Sequence, residues 1–382
     1  MKRRILFLTG TRADFGKLEP LAQACRSAGF DISFFITGMH MMKRYGETRL
    51  EVRRYVEFDF SEFVNQREGD TQELILAKTV SGFSDYLHEN RPDLVVIHGD
   101  RIEALGASIV CAMLGIRSAH IEGGELSGNI DESLRHCNSK LCTSHFVSSE
   151  DATRTLIAIG EDPEAIHCIG SPELDIHARP ADVSIDEVKR YYEIPFSDYG
   201  IVIFHPVTSE GDSILAQAKS FFGELVRSER NFVVIAPNND PGTEHIFAVL
   251  RTLPAERFRI IPSMRFIYFS QLMRNAAAMV GNSSAGVREA PFLGVPSLNI
   301  GSRQNSRARA ASITHCSALD QTVIAGFLKN AWGQRLATNP SFGSGNAATA
   351  FAAVLKGTPF WERPLQKTFF SPARQAELDE TV

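Results

Sequence analysis

The sequence predicts an α/β protein of two doubly wound parallel-sheet domains facing each other across a cleft. Three observations carry this. Short apolar runs alternate with helix-length amphipathic segments along the chain, as in a parallel sheet wrapped by helices. The length of 382 residues favours two domains at roughly 100–200 residues each. The alternation pauses once, at Gly170-Ser171-Pro172-Glu173 and Arg179-Pro180-Ala181-Asp182, a turn-rich break that separates two α/β series. The expected domains are 1–170 and 171–358, with a C-terminal segment 359–382 that docks and frays.

In the first series the strands are expected at Arg4–Thr9, Ile32–Ile36, Leu94–His98, Arg117–Ile121, His145–Val147 and Ala165–Ile169. Each is a short apolar run bounded by turn residues. Amphipathic spacing places helices at Lys17–Ser27, Thr71–Asn90, Ile102–Leu114, Glu132–Leu141 and Ala152–Ile159. The second series repeats the rhythm, with strands at Ile201–His205, Phe232–Ala236, Phe258–Ile261, Ala277–Val280 and Pro296–Ile300. Its helices are expected at Ser213–Arg227, Thr243–Arg251, Phe266–Arg274, Ala285–Leu293 and Leu319–Lys329. No tandem repeat with a period of about 20–50 residues is present.

Composition narrows the function classes. Hydrophobic residues make up 43% and charged residues 22%, the balance of a chain that folds around a core. A net charge of −5 argues against a nucleic-acid or anionic-membrane footprint, so an anionic ligand must be caught by local positive groups. The start Met1-Lys2-Arg3-Arg4 has the charge of a signal peptide, but the apolar run Ile5–Leu8 ends at Thr9, short of the about 7–15 residues such a segment needs. No stretch is long enough to span a membrane. The six cysteines lack paired spacing, which predicts no zinc knuckle, no disulfide framework and a reduced, cytoplasmic protein.

Ligands of doubly wound sheets bind at the carboxyl ends of strands, so those segments are where chemistry is expected. The first strand runs into Gly10-Thr11-Arg12-Ala13-Asp14-Phe15-Gly16-Lys17, where small residues bare backbone amides and Arg12 and Lys17 add charge suited to a phosphate. It is neither a G-x-G-x-x-G nor a G-x-x-x-x-G-K-[ST] loop, which disfavours a nicotinamide cofactor or an ATPase. The third strand leads into His98-Gly99-Asp100-Arg101; Asp100 is either a site carboxylate or the cap of the next helix.

The fourth strand leads into His120-Ile121-Glu122-Gly123-Gly124-Glu125-Leu126-Ser127-Gly128-Asn129-Ile130-Asp131-Glu132, the densest polar constellation in the chain. Asp100, Glu122 and Asp131, from neighbouring strand ends, are candidates for one acid/base pocket. Glu125 and Glu132 read as members of a solvated face. Metal-ligand spacing is absent, and no catalytic metal is expected.

The second series offers Phe204-His205-Pro206-Val207-Thr208, Ala236-Pro237-Asn238-Asn239-Asp240 and Val280-Gly281-Asn282-Ser283-Ser284-Ala285-Gly286-Val287-Arg288-Glu289. The last reads as a turn opening a helix, with Ser283, Ser284 and free amides for a diphosphate and Glu289 for a ribose hydroxyl pair. Alternatively, Glu289 pairs with Arg288 on the helix or faces solvent. Arg303, after the next strand, is placed to close over the same diphosphate.

Taken with Thr37-Gly38-Met39-His40-Met41-Met42, these motifs resemble the UDP-N-acetylglucosamine 2-epimerase family, and specifically its hydrolysing branch in sialic-acid synthesis. The resemblance reaches to about residue 370. It implies two Rossmann-like domains in a GT-B-like arrangement, with the C-terminal segment returning to the first domain. It implies UDP contacts by His205, Asn238, Ser283, Ser284, Glu289 and Arg303, with Arg12, Lys17 and Arg101 on the diphosphate side. The family carboxylates fall on Asp100, Glu122 and Asp131, with His205 beside the leaving group. It further implies a UDP-sugar substrate, no cofactor, and a homodimer or homotetramer. The nearest rivals are a non-hydrolysing 2-epimerase, a hydrolysing 2-epimerase of a 2,4-diacetamido sugar nucleotide, a GT-B glycosyltransferase and a nucleotide-sugar-binding regulator without turnover.

Overall fold

The computed structural model describes residues 2–127, 130–180, 182–238, 240–304 and 310–371, with the backbone alone at 208 and 209. The chain divides into two units. The first comprises the described residues of 1–125, 131–175 and 342–382, the second those of 126–130 and 176–341.

The elements of the first unit run β1 (Arg4–Thr9), α1 (Arg12–Ser27), β2 (Asp31–Ile36), α2 (Arg49–Val52), β3 (Asp59–Glu62), α3 (Gln72–Glu89), β4 (Leu94–His98), α4 (Ile102–Leu114), β5 (Ser118–Ile121), α5 (Ile130–Leu141), β6 (Ser144–Val147), α6 (Glu150–Ala158), β7 (Ile166–Cys168) and α7 (Glu173–Ala178). Among the described residues the strands form one seven-stranded parallel sheet in the order β3-β2-β1-β4-β5-β6-β7. Both faces are covered, which is why β1 and β4 are almost wholly apolar. Successive side chains alternate between the faces. Ile5 and Phe7 enter one cluster with Leu18, Phe34 and Phe146, while Leu6 and Leu8 enter the other with Phe35, Phe83, Val95 and Ile97.

The second unit follows with α8 (Ile185–Tyr192), β8 (Gly200–Ile203), α9 (Ile214–Arg227), β9 (Phe232–Ile235), α10 (Thr243–Leu250), β10 (Phe258–Ile261), α11 (Phe266–Arg274), β11 (Ala278–Gly281), α12 (Glu289–Phe292), β12 (Ser297–Ile300), β13 (Ile313–Cys316) and α13 (Gln321–Asn330). Its sheet is parallel in the order β10-β9-β8-β11-β12-β13, the same winding as in the first unit. The order reverses beside β1 in one sheet and beside β8 in the other, and such switch points are where open α/β sheets receive ligands. At the second, Gly281 has φ +135, and a Cβ there would stand 2.0 Å from the Ile203 carbonyl oxygen. Only glycine lets these two strand ends close to this distance.

Several elements differ from the sequence expectation. The edge strands β3 and β13 were not anticipated, because Asp59-Phe60-Ser61-Glu62 and Ile313-Thr314-His315-Cys316 are largely uncovered and lack an apolar run. Between the two turn-rich stretches of the break lies the short helix α7, and α8 follows them, capped by Ser184, whose hydroxyl accepts the Glu187 amide; Ala181 lies outside the described residues. The helix expected over Ala285–Leu293 is instead a single 3₁₀ turn, Ser284–Gly286, followed by the four-residue α12, so no long helix dipole points at the Asn282-Ser283-Ser284 turn.

The largest difference concerns 342–358, which the expected bounds placed in the second domain. Helix α14 (Ala347–Lys356) packs against α1, and Phe351 sits in the first unit's core with α15 (Thr358–Glu362) contributing Phe360. Asp175 accepts the amides of Ala347 and Ala348 at 2.8 and 2.7 Å, capping α14 from a residue far away in sequence. The return to the first unit thus begins at Phe342, and the expected segment 359–382 is described only to 371. No helix among the described residues is long and apolar enough to cross a membrane.

Phe351→Ala removes a fully buried ring from between α14 and the sheet and is expected to cost about 3–5 kcal/mol of stability. Urea unfolding followed by a probe in the first unit checks it; an unchanged midpoint would refute the assignment of α14 to that core.

Candidate active site

In the first unit, Thr11 caps α1 by accepting the Asp14 amide, while the Asp14 carboxylate accepts the amides of Gly10 (2.9 Å) and Thr11 (3.0 Å). The amides of Gly10, Thr11 and Asp14 in this loop are therefore already engaged within the chain. His40 lies against the same group, its Nε2 2.9 Å from Thr9 Oγ1 and its Nδ1 2.7 Å from Thr48 Oγ1. Burial brings the His40 pKa down to about 4, against the opposing pull of Asp14. Arg12 pairs with Glu51 at 2.6 Å.

Glu122 follows β5 in the left-handed region, at φ 62, a conformation costly for a residue with a Cβ and one that turns its side chain inward. It is almost fully buried. Its Oε2 lies 2.8 Å from Lys17 Nζ and 3.1 Å from His98 Nε2, and its Oε1 lies 2.6 Å from Ser171 Oγ. Glu173 completes the group, with Oε1 3.5 Å from Lys17 and Oε2 2.7 Å from Ser171. Lys17, expected at the diphosphate, is here the counter-ion of two carboxylates.

A second cluster centres on Arg135 of α5, a side chain 1% exposed. It pairs with Asp100 and donates to the Glu125 carbonyl at 2.7 Å. Burial acts to lower its pKa, but Asp100, Glu125 and Asp131 more than offset this and raise it. Asp100 therefore does not cap α4, whose N-cap is Arg101; the Arg101 Nε stands 3.3 Å from Glu103. Asp131 occupies the first turn of α5, four residues from Arg135. Glu125, read from the sequence as solvated, is buried and accepts the Ser148 hydroxyl at 2.6 Å, and Glu132 is half-buried. Beneath both clusters lies His120, between Ser139 Oγ (2.9 Å) and the Gly99 carbonyl (2.8 Å), with burial taking its pKa down to about 3.

In the second unit, Asn282 ties two strand ends together. It accepts the His205 amide at 2.7 Å and donates to the His205 carbonyl at 2.8 Å. His205 Nδ1 accepts the Asn238 amide at 3.1 Å, which leaves Nε2 as the proton-bearing nitrogen of the neutral ring. The Asn238 side chain bonds Asp240, and Arg303 stands 3.9 Å from Asp240. Ser283 caps the 3₁₀ turn that includes Ser284. Glu289 is neither on a solvated face nor in a pair with Arg288. It is 5% exposed and lies 2.5 Å from His177 Nε2, while His177 Nδ1 meets Ser270 Oγ at 2.8 Å.

The family model of UDP-N-acetylglucosamine 2-epimerase matches residues 23–356. The chain belongs to the UDP-N-acetylglucosamine 2-epimerase family. It is 42% identical over 371 residues to the UDP-N-acetylglucosamine 2-epimerase of Neisseria meningitidis serogroup B, covering 96% of this chain and 98% of that one. It is 31% identical over 374 residues to the UDP-N,N'-diacetylbacillosamine 2-epimerase (hydrolyzing) of Legionella pneumophila, covering 96% and 99%. In fold it resembles the Methanocaldococcus jannaschii UDP-GlcNAc 2-epimerase in complex with UDP-GlcNAc and UDP, with a TM-score of 0.78 at 17% identity over 92% of this chain and 99% of that one. The two parallel-sheet α/β units are those of a GT-B-like fold.

Within this 2-epimerase chain, six of the twelve residues anticipated from sequence fall into three groups, Lys17 with Glu122, Asp100 and Asp131 around Arg135, and His205 with the Asn238 amide; of the others, Arg12 pairs with Glu51, Arg101 with Glu103 and Glu289 with His177, Arg303 stands near Asp240, and Ser283 caps the 3₁₀ turn that Ser284 opens. Sequence reading missed Glu173 beside Glu122, Arg135 beside Asp100, Asn282 beside His205 and His177 beside Glu289. The i, i+4 spacing of Asp131 and Arg135 on one helix was the available signal for the second. His177 and Glu289 are 112 positions apart and carried none.

The buried neutral His40 makes a pH prediction. An unfolded histidine, at 6.5, takes up a proton that the folded one accepts only near 4, so its stabilisation is full above 6.5 and falls as pH drops towards 4. Urea unfolding at pH 5 is expected to show about 2 kcal/mol less stability from this residue than at pH 7, and His40→Gln should remove that part of the slope. A variant with wild-type pH dependence would contradict it.

Proposed function

We propose that this chain is a hydrolysing UDP-N-acetylglucosamine 2-epimerase, converting UDP-N-acetylglucosamine and water to N-acetylmannosamine and UDP for sialic-acid synthesis. The observation that carries the reading is the buried Glu122 carboxylate at the end of β5, held between Lys17 and His98 in a chain 42% identical to the Neisseria 2-epimerase. The hydrolytic outcome is supported by the relative whose name specifies it, 31% identical along nearly the whole chain. The acetamido sugar, rather than a diacetamido one, is supported by the higher identity to the UDP-N-acetylglucosamine enzyme.

The chemistry follows from the sugar. Its C2 proton has no adjacent carbonyl to acidify it, so the C1–oxygen bond loosens first. Positive charge then develops at C1 and acidifies C2. A carboxylate takes the C2 proton, the electron pair forms the C1–C2 double bond, and UDP leaves in an anti-elimination to 2-acetamidoglucal. Water then adds its oxygen to C1 while an acid delivers a proton to C2 from the opposite face, giving the manno configuration and a free sugar. Asp100, Glu122 and Asp131 supply the acid and base groups. Arg12, Arg101 and Arg303 stabilise the leaving diphosphate with the Ser283-Ser284 turn, Asn238 lies beside the nucleotide, Glu289 holds the ribose, and His205 Nε2 donates towards the leaving group.

Proton NMR with UDP-N-acetylglucosamine in deuterated water tests the reading. Free N-acetylmannosamine deuterated at C2, with UDP, is the expected product. UDP-N-acetylmannosamine would place the chain in a non-hydrolysing class, and turnover of a 2,4-diacetamido sugar nucleotide alone would reassign the sugar. Asp131→Asn and Glu122→Gln are each expected to lower kcat by about 100-fold or more while UDP affinity changes less than about threefold. Full turnover in both variants would remove these carboxylates from the acid/base set.

A further inference from the structure

Three side chains of the second unit stand in line. His177, near the end of α7, belongs to that unit, as do Ser270 of α11 and Glu289 of α12. The His177 ring sets its Nε2 2.5 Å from Glu289 Oε2 and its Nδ1 2.8 Å from Ser270 Oγ. An ionised carboxylate has no proton to give, so Nε2 is the donor in the first contact. With Ser270 at the other nitrogen, both ends of the ring are committed and its rotation is set. The Phe266 ring stands 5.6 Å away, and Arg274 donates to the His177 carbonyl at 2.5 Å, which holds the residue that carries the ring.

The contact fixes one oxygen of Glu289 and leaves the other. Among the described residues, Oε1 takes no hydrogen bond. Glu289 opens α12, a helix of four residues, directly after the 3₁₀ turn Ser284–Gly286, so one short stretch carries both the turn proposed for the diphosphate and the carboxylate proposed for the ribose. A glutamate side chain has three rotatable bonds, and freezing them during binding costs affinity; a side chain already frozen in the binding geometry escapes that cost. We propose that His177 is a positioning residue for nucleotide recognition: it holds Glu289 by Oε2 so that Oε1 is offered, already oriented, to the ribose hydroxyls. This rests on the reading that Glu289 holds the ribose. The effect of His177 is therefore confined to nucleotides that carry those hydroxyls.

Calorimetric titration of the full-length protein with UDP and with 2′,3′-dideoxy-UDP, which lacks both hydroxyls, tests this. The unmodified protein is expected to bind UDP about tenfold or more tightly than the dideoxy compound. His177→Ala is expected to lose about tenfold in affinity for UDP and less than about threefold for the dideoxy compound, so that the preference collapses. His177→Gln, whose side-chain amide can donate where Nε2 does, is expected to keep most of the preference. With UDP-N-acetylglucosamine, His177→Ala is expected to raise KM about tenfold with kcat changed less than about threefold. Ser270→Ala, which frees the ring and leaves the donor in place, carries the same test if His177→Ala does not fold, with an expected loss of about threefold for UDP alone. Equal weakening of both nucleotides in these variants, the mark of a merely structural role, overturns the proposal, as does an unaltered preference in His177→Ala. An unmodified protein with no preference, or Glu289→Ala with the full one, would overturn instead the reading of Glu289 as the ribose contact.

Discussion

The first unit depends on one ammonium group. Lys17 reaches from α1 to the carboxylates of Glu122 and Glu173, so a single buried cation joins the helix after β1, the loop after β5 and the start of α7. A buried charge stripped of its partner typically costs about 3–5 kcal/mol, which makes these three segments hold or fail together. That coupling is what sustains Glu122 at φ 62. The backbone conformation is unfavourable for glutamate by itself, of order 1–3 kcal/mol, and persists because Lys17, His98 and Ser171 fix the side chain it presents.

The second unit joins its strand ends in another way. The ends of β8 and β11 meet where Gly281 admits the Ile203 carbonyl, and the Asn282 amide then bonds both the amide and the carbonyl of His205. His205 is thereby fixed through its backbone, and the Asn238 amide selects its tautomer. Glu289 is oriented by His177, which is itself oriented by Ser270. In both units the same strand order exposes a switch point; Lys17 and Arg135 hold carboxylates in the first, while in the second the contacts to His205 run through the Asn282 side chain and the Asn238 amide.

The interior strands and long helices were legible because their signal is local. Leu94–His98 and Ile102–Leu114 form with the bounds expected, since an apolar run that must be buried on both faces has few other readings. The edge strand Asp59–Glu62 was not, because an edge covered on little of its surface needs no apolar pattern. Helix Ala347–Lys356 has a clear amphipathic stripe, yet which core it joins is decided by Asp175, 172 positions away, and no periodicity encodes that. The site divides the same way. Asp100, Glu122 and Asp131 stood out as carboxylates at strand ends, but their partners Lys17, Glu173 and Arg135 are set by tertiary approach. Lys17 in particular carried a charge suited to a phosphate and turned out to face acids of its own unit.

That pairing bears on how the unit would divide acid from base. Elimination followed by hydration needs a group that is ionised before it meets the sugar and another that is protonated, within one site and at one pH. Cations at contact distance make ionised carboxylates, and the structure supplies them to Glu122 through Lys17 and to Asp100 through Arg135. A protonated group requires the reverse: burial with the positive charge standing off. Lys17 stands nearer to Glu122 (2.8 Å) than to Glu173 (3.5 Å), and Arg135 bonds Asp100 directly while it acts on the half-buried Asp131 through its charge. Identical functional groups thus stand at different distances from two cations, and such differences in surroundings are the physical route by which one kind of side chain serves both halves of a reaction.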